Sequence, residues 1–267
     1  MIVAVTTAAE AFLSVHLPPP FVLCPLRNGQ VNTTWQVVAN EQQYFLKYQG
    51  EGQHNGIERS QEAHLQRTLA QNNLSPRVIA TSPDYRWVLH EWVAAPTVSD
   101  LNDEDEQSRI LALTLWRIHQ QRPKLSRWSL KHRVTYYLTA VGCYDDKLAK
   151  QQQHNIEAYQ DLIELWDSHQ AVFCHNDLSA DHVLLSTPNR VVDWEYAGYG
   201  HACFDIASCI EINQLSEGAQ QNLCRVYGEV SGQPHQSQEL VKQLQRWRGL
   251  LQVINSLWLH AQHVQHR

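Results

Sequence analysis

The chain has 267 residues, of which 43% are hydrophobic and 18% charged, with nine Trp; this composition supports a packed core and excludes intrinsic disorder. Lys and Arg number 21 against 27 Asp and Glu, a formal charge of −6 without a basic block, which excludes a phosphate-tracking nucleic-acid surface and favours a cationic small molecule as partner. No stretch approaches the ~20 apolar residues of a membrane span, and the apolar start lacks Lys and Arg and carries Glu10, a poor fit to a signal peptide.

The six cysteines form no CxxC pair and most sit in apolar runs, so they are read as reduced core thiols of a cytoplasmic protein. Pro18-Pro19-Pro20 ends whatever the first residues form. Trp35, Val37 and Ala39 alternate in the way strand residues do, and after a polar turn Tyr44, Leu46 and Tyr48 do the same with Phe45 and Lys47 on the opposite face. That pattern predicts a hairpin. Residues 57–71 read as a helix ended by Asn72 and Asn73, and apolar runs at Val78–Ala80 and Trp87–Leu89 add short strands.

After Ala95-Pro96 the period lengthens. Leu111, Leu115 and Ile118 recur at i, i+4 and i+7, with Asp103 and Glu106 in front as a capping box. Further helices fit Ile156, Tyr159, Ile163 and Trp166, then Ala219, Leu223, Tyr227 and Val230, then a last one from about Gln236. The fold class is α+β, a small antiparallel sheet lobe over 1–93 followed by a larger, mostly helical lobe over 94–267, expected as a monomer or homodimer.

One β-like stretch interrupts the helices. Residues 171–174 are apolar, 175–182 (HNDLSADH) polar, and 183–185 and 190–192 are apolar around a Ser-Thr-Pro-Asn turn. A hairpin there sets His182 and Asp193 at its two ends, with Asp177 in the preceding loop. An imidazole and two carboxylates at one spot suit a divalent metal and a general base; taken singly, each also suits an ordinary turn.

The run His175-Asn-Asp177 through His182, followed by Val192-Asp193-Trp194-Glu195-Tyr196-Ala197-Gly198 and Phe204-Asp205, resembles the signature of the aminoglycoside phosphotransferase and choline kinase superfamily. Lys47 in YFLKY, Arg59 and Glu62 in an R-x-x-E helix, and VLHEWVAA as a linker extend the likeness over most of the chain. The resemblance implies a bilobal protein-kinase-like fold and a small-molecule kinase using ATP, with GTP the alternative, and Mg²⁺, with Mn²⁺ the alternative. It implies Asp177 as the catalytic base, Asp193 and His182 as metal ligands, and Lys47, paired with Glu62, on the nucleotide phosphates. Asn28 and Gly29 then lie in the phosphate loop, Glu91 and Val93 at the adenine hinge, and His175 and Asp205 brace the loop.

Two departures stand out. Asn is usual in that family where His182 stands, an exchange of oxygen for imidazole that tilts metal preference toward Mn²⁺ or inserts a water; the S-x-D-H arrangement is nevertheless similar to that of the 2''-aminoglycoside phosphotransferases. The segment from Asn28 to Asn32 has a single Gly. No GxxxxGK[ST] motif occurs, which removes the P-loop NTPases.

The DWEYAG segment resembles bacterial choline and thiamine kinases, so the implied acceptor is a small cationic alcohol: choline, ethanolamine or a thiamine-like compound. Glu195, Trp194, Tyr196 and Trp258 are the expected substrate contacts, Glu195 suiting equally a residue that holds the loop. Trp258 shares a helical face with Trp247, Leu251 and Ile254, which suits either a core stripe or, by resemblance, one ring facing a quaternary amine. The competing readings are an aminoglycoside kinase, a nucleotide-binding pseudokinase-like module, and a metal-dependent hydrolase with no use for Lys47.

Overall fold

The computed structural model describes residues 2–26, 32–50, 59–126, 129–168, 172–233 and 237–265. In chain order its elements are α1 (Ile2–His16), β1 (Phe21–Pro25), β2 (Thr33–Ala39), β3 (Gln42–Tyr48), α2 (Arg59–Gln71), β4 (Val78–Thr81), β5 (Trp87–Glu91), α3 (Glu104–His119), α4 (Leu130–Gly142), α5 (Asp146–Glu157), α6 (Gln160–Trp166), β6 (Val172–Cys174), β7 (Val183–Leu184), β8 (Arg190–Val191), β9 (Gly198–Gly200), α7 (Ala202–Ile212), α8 (Glu217–Val230) and α9 (Ser237–Gln265). No helix among the described residues is long and apolar enough to cross a membrane.

The alternation at 33–48 becomes the hairpin β2–β3, in which Trp35 faces Leu46 and Val37 faces Tyr44. Asn40 and Glu41 turn it with both φ positive, at 48° and 64°, the twist a two-residue hairpin needs. The sheet runs β1-β2-β3-β5-β4, all antiparallel. On one face Val37, Leu46 and Leu89 are fully buried beneath Ala9 and Leu13 of α1, and the Trp87 ring meets Phe12, Trp35 and Tyr48. Each such aliphatic side chain stabilises the fold by about 1.5–3 kcal/mol. The other face carries Phe45, Lys47 and His90. Neither α1 nor β1 is legible in the periodicity: β1 is a half-exposed edge strand and shows no clean alternation.

His90 on β5 is buried against Phe45. Burial, aided by the charges of Lys47 and Arg67 and opposed by Glu91, pulls its imidazole down to about 3 from 6.5. A group with a depressed folded pKa binds its proton first in the unfolded state, so between pH 6.5 and 3 stability falls as pH falls. At pH 5 His90 is expected to cost about 2 kcal/mol relative to pH 7. Urea unfolding at the two pH values should show this loss in the wild type and a smaller loss in His90→Gln; equal losses would contradict it.

The first compact unit consists of Met1–Pro96 together with Leu184–Glu195. The returning segment is tied in by main-chain bonds from Leu185 N to Pro96 O (2.8 Å) and from Val191 N to Leu74 O (2.7 Å), and by Arg190 on Ser75 O (3.2 Å). A linear boundary near residue 94 leaves this segment out, because these ties join residues about a hundred positions apart and have no local signature.

The second unit holds Thr97–Val183 and Tyr196–Arg267. Leu111, Leu115 and Ile118 of α3 are fully buried, α3 packs on α8, and α9 packs on α4, α7 and α8. Asp103 caps α3 by accepting from Asp105 N, but Glu106 does not complete a capping box: it holds Arg109 through both oxygens at 2.7 Å. The helix expected through Ile156 and Trp166 is two helices, since the chain leaves α-geometry at Tyr159 (φ −122°, ψ 16°). Tyr159 also lies where a side chain at Gly249 of α9 would meet its ring. Four cysteines are buried; Cys24 and Cys143 are exposed, which corrects their reading as core thiols.

β6 pairs with β9, Phe173 opposite Tyr199. A Cβ at Gly200 would come within 2.5–2.8 Å of the Trp166 indole, and that buried ring is fixed edge-on against Phe204 at 4.5 Å. Gly200→Ala is therefore expected to destabilise the protein by about 1–3 kcal/mol. The check is a lower urea midpoint with an unchanged slope.

Candidate active site

In the first unit β3 delivers Lys47, α2 delivers Arg59 and Glu62, and the turn after β8 delivers Asp193 and Glu195. Lys47 Nζ donates to Asp193 Oδ1 at 2.7 Å and lies 4.0 Å from Glu62 Oε1. Arg59 Nη1 donates to Glu62 Oε2 at 2.7 Å and to Glu195 Oε2 at 3.1 Å. Sequence reading identifies the Lys47–Glu62 pair and the Arg59–Glu62 spacing; the tighter partner of Lys47 is Asp193, and the bond from Arg59 to Glu195 is the one it missed. The i, i+3 spacing of Arg59 and Glu62 was the available signal, whereas Glu195 lies 136 residues from Arg59.

Lys47 and Glu62 are nearly enclosed, with side chains 9% and 2% exposed. Burial opposes the Lys47 charge, yet the carboxylates of Asp193, Glu62 and Glu195 outweigh it and hold the ammonium above its ordinary range. Burial pushes the Glu62 carboxyl up, against the pull of Lys47 and Arg59. Asp193 has φ 64°, a left-handed conformation uncommon outside glycine and concentrated at functional sites. The turn is clamped by Trp194, whose indole N–H donates to Val191 O at 3.0 Å.

That clamp corrects one substrate assignment. Trp194 is 1% exposed with its polar atom spent internally, so it packs the unit rather than facing a ligand. Glu195 pairs with Arg59 through Oε2 in the ion-pair cluster, the loop-holding one of its two expected uses. Glu91 accepts from Arg77 N and Nε at 2.9 and 2.7 Å and lies 3.5 Å from Arg190; against partial burial, Arg77 holds it below the usual carboxylate range. Only its main chain is then suited to a hinge role. Val93, half-buried just beyond β5, accepts from Ala95 N. Asn28 and Gly29 lie outside the described residues.

In the second unit Asp177 sits in the loop after β6, and α7 holds that loop by its backbone. Asp205 accepts from His175 N at 2.9 Å and Asn176 N at 2.7 Å, Ser208 Oγ donates to Asn176 O at 2.9 Å, and Asn176 Nδ2 donates to Tyr196 O at 2.9 Å. Asn176 has φ 66°. Further along, Asn213 accepts from Ala180 N at 2.6 Å and donates to Leu178 O at 3.0 Å. Asp205 matches its expected bracing role. Ser208 and Asn213 were missed because a side chain that bonds the carbonyls and N–H groups of a distant loop leaves no motif.

His182 Nδ1 lies 2.9 Å from Asp177 O. A carbonyl only accepts, so Nδ1 carries the proton and the lone pair of the neutral ring is at Nε2. This is the tautomer in which a ligating histidine is commonly held by a backbone carbonyl, so His182 fits a divalent cation. Asp193, an oxygen donor, belongs with the first unit.

Of the C-terminal aromatics, Trp247 is buried, stacked on His201 at 4.5 Å and edge-on to Phe204. Trp258 on α9 is half-buried and Tyr196 likewise.

A sequence model described as the phosphotransferase enzyme family matches residues 22–240. Ethanolamine kinase 2 of Rattus norvegicus is 26% identical over 136 residues, 46% of this chain and 34% of its own length. Protein LicA of Haemophilus influenzae is 34% identical over 88 residues, 32% of this chain and 33% of its own. The matches thus span about a third of these curated relatives. Among solved structures, choline kinase LicA from Streptococcus pneumoniae superposes with a TM-score of 0.77 at 18% identity, covering 98% of this chain and 91% of its own. The fold is accordingly protein-kinase-like.

Proposed function

The chain belongs to the phosphotransferase enzyme family, and on that premise we propose that it is an ATP-dependent kinase transferring the γ-phosphoryl group to the hydroxyl of a small cationic alcohol, choline, ethanolamine or thiamine-like. The observation that carries the reading is the buried Lys47 ammonium, held at 2.7 Å by Asp193 and backed by Glu62 and Arg59. A fixed, desolvated cation suits a nucleotide phosphate, since phosphoryl transfer depends on positioning and charge neutralisation more than on covalent chemistry.

In this reading Lys47 binds the α- and β-phosphates. His182 through Nε2 and Asp193 through its carboxylate would hold Mg²⁺ or Mn²⁺, which would neutralise phosphate charge. Asp177 orients the acceptor hydroxyl and takes its proton. The hinge at Glu91 and Val93 meets the adenine through main-chain atoms, and the phosphate-binding role stays assigned to Asn28 and Gly29 by the family resemblance. Tyr196 and Trp258 offer aromatic faces to a cationic acceptor. The cationic acceptor draws its support from the relatives named as ethanolamine and choline kinases, and its small size, against the many carboxylates an aminoglycoside needs, from the sparse carboxylates of residues 200–267.

The test is ADP release with Mg²⁺ or Mn²⁺ against choline, ethanolamine, thiamine, homoserine, sugars and aminoglycosides. Turnover on one of the first three is expected. Turnover confined to aminoglycosides would replace this acceptor class, and nucleotide binding with no turnover on any of them would favour the binding-module reading.

A further inference from the structure

Behind the Asp177 loop lies a buried polar chain that the proposed chemistry does not use. His119 at the end of α3, Asp205 on α7 and Tyr227 on α8 are 1%, 0% and 9% exposed. His119 Nδ1 lies 2.7 Å from the Tyr227 hydroxyl and His119 Nε2 lies 3.0 Å from Asp205 Oδ2. Asp205 in turn accepts the amides of His175 and Asn176. Four groups are thus connected in series from Tyr227 to the residue preceding Asp177.

Together with Cys174, His119 and Asp205 place three potential metal-ligand atoms within 4.8 Å of one another. Their bonding argues against a metal: both His119 nitrogens and both Asp205 oxygens already have protein partners, and the Cys174 thiol donates to Val172 O. Burial also pushes that thiol well above its ordinary range.

We infer that Tyr227 and His119 are positioning residues for Asp177, acting through Asp205. Asp205 receives two amide N–H groups, so it is the acceptor from His119 and Nε2 carries the proton. The Tyr227 hydroxyl then donates to Nδ1, fixing both tautomer and ring orientation. Nε2–H in turn fixes which way Asp205 presents its oxygens to residues 175 and 176. Asn176 sits at positive φ, which persists only when its surroundings over-determine it. Loosening the chain at Tyr227 therefore lets the carboxylate of Asp177 wander without opening the core.

The inference rests on the kinase reading for its activity readout, so the test carries a second one. Tyr227→Phe keeps the ring and its packing and removes only the hydroxyl. Amide hydrogen exchange at residues 175–178 is expected to quicken about tenfold while the thermal midpoint moves little, and kcat to fall about tenfold with both KM values unchanged. In the His119→Asn background the same change should have no further effect on kcat or exchange. Unaltered exchange at 175–178 in Tyr227→Phe, or equal effects in both backgrounds, would overturn the relay. Faster exchange in a protein whose wild type turns over no acceptor would sink the kinase reading and leave the relay standing.

Discussion

Replacing Asp177 with Asn is expected to lower kcat by about 100- to 10,000-fold, the span that a positioned general base contributes, while the KM for ATP stays close to that of the wild type. The loop around Asp177 is held by main-chain atoms: the amides of 175 and 176 on Asp205, the carbonyl of 176 on Ser208, and the carbonyl of Asp177 itself on His182. None of these depends on the Asp177 side-chain charge. The variant is therefore expected to keep the main-chain frame of the loop, which a thermal midpoint measured beside kcat checks. A kcat within threefold of the wild type, measured by ADP release, would remove Asp177 from its role.

Lys47→Ala is expected to reduce kcat/KM for ATP by about 100- to 1,000-fold, the scale of losing one preorganised charge donor at a phosphate. Stability should fall as well. Removing one member of a buried pair commonly costs about 3–5 kcal/mol when the partner is left uncompensated. Here Glu62 keeps Arg59 at 2.7 Å and Asp193 is partly solvated, so the expected loss is about 1–3 kcal/mol. Lys47→Arg restores the charge but not the point geometry and should recover stability ahead of turnover. Because the folded Lys47 pKa is raised, its stabilisation is fully present below the unfolded value of 10.5 and is lost only as pH rises through the folded value. Urea midpoints at pH 6 and pH 8 should thus show the same difference between Lys47→Ala and wild type. Full phosphotransfer in Lys47→Ala would contradict the nucleotide role.

What the sequence makes legible is local. The β2–β3 alternation, the Arg59–Glu62 spacing and the stripe of Leu111, Leu115 and Ile118 are each set by neighbours within a few residues. Asp177, His182 and Asp193 could be singled out because a hairpin is readable from residues 171–194 and sets them at its ends and in the loop before it, and Lys47 because YFLKY resembles a known family's motif. The use of Glu195 was not legible, since its partner Arg59 meets it only through the tertiary fold. Trp194 beside Asp193 invited a substrate role, and nothing in its one-dimensional context tells a ring facing a ligand from a ring whose N–H is spent on Val191. The break at Tyr159 escaped for a related reason: the apolar period continues through it, and only the backbone angles depart.

The return of residues 184–195 to the first unit has a consequence for synthesis. The sheet of β1 to β5 is complete once residue 91 has been made, but Leu74 and Ser75 still lack the amide of Val191 and the guanidinium of Arg190, and Lys47 lacks Asp193. A nascent chain that formed the sheet at this stage would carry a buried-to-be ammonium and carbonyls still wetted by solvent until residue 195 had emerged. The whole 97–183 segment is translated in that interval. The N-terminal unit is thus begun first and closed late, which makes release of a prematurely terminated chain near residue 96 a route to a sheet that forms without its locking segment.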